Sequence, residues 1–161
     1  MSNTYGTDES TTFVTMNSRK LLMIVAVGIL AGLVTWGLAH VFDMYVYKAI
    51  LCNNPSAVQC ASSPQYAATT ATVIGAAVAL FGLVRLRVYR PLLIVLATFI
   101  SLWGLIELVA PMAWYVEALI YAGLYGVALG TFAWVARIRN FIFTAIIILI
   151  LIIGLRLILG A

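Results

Sequence analysis

Charge is what this sequence has least of. Nine Lys and Arg and five Asp and Glu make up 9% of its 161 residues, whereas 65% are hydrophobic. So little polar surface cannot cover a water-soluble domain of this size, which excludes a soluble fold. The chain also has one histidine, two cysteines and four prolines. It contains no glycine-rich phosphate loop, no zinc-ligand spacing and no nucleophile elbow, so no cofactor, no metal and no reaction centre are expected. Basic residues stand singly or in small groups between apolar runs, which argues against a nucleic-acid partner.

Five apolar runs are present instead. Residues 1–18 are polar and aperiodic and are expected to form a disordered cytoplasmic tail. The membrane domain, 19–161, then holds runs at approximately 21–42, 67–84, 91–110, 114–136 and 141–160. Each suits a hydrocarbon layer about 30 Å thick at about 1.5 Å per helical residue. Without period-two alternation they read as helices, not barrel strands. The expected fold is an all-α integral membrane protein, a bundle of five transmembrane helices. Gly37-Leu38-Ala39 resembles a signal-cleavage sequence, but the tail and the first run are both long for a signal, so a retained helix is expected. No Gly or Pro occurs between Gly37 and Pro55, so this helix is expected to run on through "DMYVYKAIL". Residues 52–66 read as the outer loop, and Pro91 and Pro111 bracket the third helix.

Basic residues alternate between connections. Arg19 and Lys20, then Arg85, Arg87 and Arg90, then Arg137 and Arg139 occupy every second one, and the intervening connections hold only Lys48. The positive-inside rule makes these clusters cytoplasmic anchors. The amino terminus is then cytoplasmic, and the carboxyl terminus and the Cys52–Cys60 loop lie outside a plasma or bacterial inner membrane. "VRLRVYRPLLIVL" and "VARIRNFIFTAII" each set an Arg-x-Arg turn between two runs. One leading helix followed by two hairpins is the organisation this implies. An internal duplication explains the likeness, and so does the plain need of every cytoplasmic turn for arginine.

Small residues mark the helix faces expected to pack. Gly28 and Gly32 form a GxxxG pair, Ala118, Ala122, Gly126 and Gly130 recur every fourth residue, and Ala71, Gly75 and Ala79 do the same in the second run. The isoleucine-rich fifth run is expected at the periphery.

The ionisable residues outside the cytoplasmic clusters gather towards the outer side. Glu107 and Arg156 each lie about 24 Å from the cytoplasmic ends of their helices, and Glu117 and His40 about 30 Å, at about 1.5 Å per residue. Three readings stand for Glu107 and Arg156: a structural ion pair, an arginine snorkelling to headgroups, or, with Glu117, a solute site in an outward-facing polar vestibule. His40 precedes Asp43 by one helical turn, a possible pH-sensitive pair. Cys52 and Cys60 are expected to form a structural disulfide in an oxidising compartment. Membrane disulfide oxidoreductases have helical bundles of similar size but depend on a Cys-x-x-Cys centre, which is absent here. The functional expectation is a non-catalytic accessory or scaffold subunit of a membrane assembly. Its partners would be the lipid bilayer, other membrane subunits or further copies of itself. The alternative is a small-solute or proton-linked transporter.

Overall fold

A computed structural model describes residues 18–52, 58–109, 111–136, 146–147, 149–150 and 152–154, and among the described residues every regular element is helical. In chain order these are α1 (Ser18–Phe42), a π-helical turn (Asp43–Tyr47), α2 (Lys48–Leu51), α3 (Val58–Ala61) and α4 (Ser63–Arg85). α5 (Pro91–Ser101), α6 (Leu105–Val109) and α7 (Trp114–Val135) follow. The stretch from Ser18 to Leu51 is one continuous helix of 34 residues, since nothing after Gly37 interrupts it. The stretch read as outer loop is partly helical. α4 starts at Ser63, with Pro64 in its first turn, where a missing N–H costs nothing and the fixed φ suits a helix.

Among the described residues three helices are long and apolar enough to cross a membrane: Ser18–Leu51, Ser63–Arg85 and Trp114–Val135. The run expected as the third span is not among them. α5 has 11 residues, about 16 Å at about 1.5 Å per residue, roughly half of a 30 Å hydrocarbon layer. The chain then turns at 102–104 and resumes as α6. Gly104, with φ +91°, makes this possible, because only glycine enters that conformation without a steric penalty. The Leu105 and Glu107 N–H groups donate back to the carbonyls of Leu102 and Gly104, at 3.2 and 3.1 Å. The run expected as the fifth span lies mostly outside the described residues, so five spans are not seen. The described part, between 146 and 154, is helical, with Ile146, Leu149, Ile150 and Ile153 exposed.

α1 packs against α4 and α7, and α5 packs against the same two helices. The contact between α1 and α7 is backbone to backbone. A Cβ placed on Gly28 would lie 2.7 Å from the Tyr125 carbonyl oxygen and 2.8 Å from Gly126 Cα, and one on Gly32 would lie 2.5 Å from the Tyr121 carbonyl oxygen. Gly126 in turn faces Ile29, and Gly130 faces Val25. On α4 the buried row Ala67, Ala71, Gly75 and Ala79 lets that helix approach α1 closely, with Gly75 against Thr35. Among lipid tails dispersion must hold helices together, and small residues maximise it by shortening the gap.

The turn from α4 to α5 closes tightly. Val88 N–H donates to the Leu83 carbonyl at 3.1 Å and Arg87 N–H to the Val84 carbonyl at 3.0 Å, with Arg87 at φ 51°. This is a Schellman closure with arginine where glycine is usual. Near this turn the core is dry: Ile24, Leu83, Ile94, Leu129 and Phe132 are all fully buried. The buried hydroxyls of Thr35, Thr98 and Ser101 donate to the carbonyls four residues earlier, at 2.8, 2.9 and 2.7 Å, so they are satisfied within their own helices.

Candidate functional site

Polar side chains collect at the end of the bundle away from the arginine turn. His40, in the last turn of α1, places Nε2 3.6 Å from Oε2 of Glu117 in the first turn of α7. Glu117 is 7% exposed and the imidazole about half exposed. The His40 ring also packs on Trp36, with centroids 5.0 Å apart. Asp43 accepts from Lys48 Nζ and from Ser63 Oγ, both at 2.7 Å. His40 and Asp43 therefore line one small pocket of about 160 Å³ with Pro64, Ile106 and Glu117, but their polar contacts run to different partners. The π-helical turn begins at Asp43, and its i→i+5 bonding alters the register that would stack residues three apart. Within that turn Tyr47 reaches Thr70 of α4 at 2.6 Å.

Glu107 stands on α6, exposed, and accepts from Gln65 Nε2 of α4 at 3.0 Å. Its expected partner Arg156 lies outside the described residues, as do Arg137 and Arg139. Glu107 and Glu117 border different pockets and are not brought together. Cys52 and Cys60 are disulfide-bonded, with Cα atoms 4.9 Å apart, and so join the end of α2 to α3. Among the described residues no three His, Cys, Asp or Glu side chains are grouped so as to hold a metal ion.

A polar cavity of about 310 Å³ lies between α4, α7 and the broken helix. Gln65, Thr69 and Thr72 form one wall, Tyr121 and Tyr125 a second, and residues 102–107 the third. Its mouth is at the exposed Gln65 and Glu107, and its floor is at Tyr125, which is 1% exposed. Counting from the ends of α4 and α7, Thr72 and Tyr125 lie about 14 and 16 Å in, near mid-depth. Thr69 donates its hydroxyl proton to the Gln65 carbonyl at 2.8 Å and Thr72 to the Ala68 carbonyl at 2.7 Å. Tyr125 lines the same cavity as Thr72. The Tyr121 and Tyr125 rings stack at 6.0 Å with an interplanar angle of 13°. This arrangement offers oxygen lone pairs, π faces and one carboxylate. It is equipped to bind.

By helical rise Thr69, Thr70, Thr72 and Tyr121 fall near the depth of the outer charges, so the sequence carries a signal for them. Gln65 was hidden because it fell in the presumed loop, although "SSPQY" carries a helix-start signal in Pro64. Tyr125 and the break at Gly104 were hidden by their apolar surroundings, and the lone glycine inside an apolar run was the available clue. No protein-family model, no curated protein and no solved structure matches this chain.

Proposed function

We propose that this is a multi-pass membrane protein that holds a small polar solute in an outward-facing vestibule without chemically altering it. One observation carries this: the third apolar run breaks at mid-depth, and the broken backbone forms a wall of a polar cavity. Irregular backbone at membrane depth is tolerated where it is buried in protein or lines a wet cavity, and transporters bind solutes at such breaks. The orientation is the positive-inside reading of the arginine clusters, by which the cavity mouth opens outside the cytoplasm. The dry core around Ile24, Leu83 and Phe132 favours a second role for the same site. A path through the membrane needs polar groups in both halves, so the vestibule serves an accessory subunit that binds solute for, or signals to, a partner in a membrane assembly.

Thiol labelling of intact cells tests this reading. Thr72→Cys should react with a membrane-impermeant maleimide from outside, whereas Val73→Cys, at the same depth but on the exposed face of α4, should not. Both native cysteines are held in the disulfide and contribute no background. Absence of labelling at Thr72→Cys, or equal labelling at both positions, would refute a wet vestibule.

A further inference from the structure

We infer that the cavity's ligand is a small organic ammonium ion. The inference rests on the vestibule reading and specifies what enters it. Three features of the wall point the same way. The first is charge: Glu107 is the one ionised side chain in the lining among the described residues, and no Lys, Arg or His joins it. The second is the direction of the hydrogen bonds. The hydroxyls of Thr69 and Thr72 each give their one proton to a backbone carbonyl, so what these two groups turn towards a guest is lone pairs. A cation is complemented by those oxygens, with or without N–H groups of its own, and an anion is not. The third is the π surface. Trp103 and the stacked pair Tyr121 and Tyr125 border the space, and aromatic faces attract cations, most strongly where water is excluded.

The end of α5 adds to this field. Its C-terminus, at Ser101 and Leu102, meets the cavity at mid-depth, and the carbonyl end of a helix carries about half a negative charge. A volume of about 310 Å³ holds about ten waters at about 30 Å³ each, too much for a bare metal ion and suited to a compact amine. Free amines and the ammonium headgroups of lipids share this chemistry.

Equilibrium dialysis of labelled choline against the full chain in phosphatidylglycerol nanodiscs tests the inference, because that lipid brings no ammonium group. Saturable one-site binding is expected, displaced by ethanolamine and not by 3,3-dimethylbutan-1-ol, the uncharged carbon analogue of choline. Glu107→Gln keeps the size of the side chain and should weaken binding at least tenfold. Trp103→Leu, at a position that is 47% exposed and tolerant of change, should weaken it several-fold while Trp103→Phe retains it. Equal binding of the uncharged analogue, or no saturable binding of either amine, would overturn the ammonium assignment. So would an unaltered affinity in Glu107→Gln with an unchanged melting temperature. Adding phosphatidylethanolamine to the discs separates the two sources: displacement of choline assigns the site to a headgroup and no displacement to a soluble amine, and both support the inference. If Thr72→Cys is labelled from outside but no amine binds, the ligand class falls and the vestibule stands. If Thr72→Cys is not labelled, both fall.

Discussion

Glu117 is nearly buried, yet the imidazole that faces its carboxylate at 3.6 Å is half open to solvent. A contact of that geometry is worth little by itself, because the exposed imidazole is already well solvated. Its effect is to match α1 to α7 at one register, as Asp43 with Ser63 matches α1 to α4. His40→Ala and Glu117→Gln should therefore couple by about 0.5–1 kcal/mol in a double-mutant cycle read from unfolding in detergent. Additive losses would show that the two side chains do not interact. The sequence put His40 and Glu117 at one depth but paired His40 with Asp43. Neighbours three apart on one helix are visible in a sequence, whereas a partner on another helix depends on which helices touch. Glu107 shows the same limit: its depth was legible, and its bond to Gln65, 42 residues away, was not.

Among helices, the closest approach decides the architecture. A methyl group added to Gly28 would strike the backbone of α7, which cannot step aside, whereas one added to Gly37 meets nothing within 4 Å. Gly28→Ala should therefore lower stability by about 1–3 kcal/mol, the usual penalty for overpacking a tight contact. Gly37→Ala should be neutral or slightly stabilising, since alanine favours the helix. Melting curves of the two variants in one detergent decide this, and equal effects would mean that α1 does not approach α7 through Gly28. The helical class and the three long apolar helices were legible because hydropathy and length encode them directly. The fate of the third run was not. The eleven residues of α5, the turn Leu102, Trp103 and Gly104, and the five residues of α6 read as one span by hydropathy, and a left-handed glycine leaves no mark on hydropathy. Arg87 is the converse case. It occupies a left-handed site that disfavours side chains by about 1–2 kcal/mol, and the positive-inside reading of its charge offers a reason to keep arginine there.

At the scale of the whole molecule, a polar layer and a disulfide gather one end of the bundle, and a dry core fills the other. Closing the short Cys52–Cys60 loop contributes on the order of 2–3 kcal/mol by restricting the unfolded chain. The half-length of α5 has an electrical consequence. A membrane potential falls across material without mobile charge, so water in the proposed vestibule, reaching Thr72 and Tyr125, would carry the outside potential down to mid-depth. The voltage would then drop over roughly 15 Å instead of roughly 30 Å, and the field in the apolar half would be about doubled. A cation on the cavity floor would in that case sense little of the voltage. Were the cavity dry, moving a unit charge halfway across would change its energy by about 1.1 kcal/mol per 100 mV, about sevenfold in affinity. Choline affinity in proteoliposomes under a potassium-diffusion potential should thus change less than about twofold at 100 mV, and a sevenfold change would mean that water stops at the mouth. With a wet vestibule, the apolar layer from Ile24 to Phe132 would act as the insulator of a capacitor about half as thick as the bilayer around it.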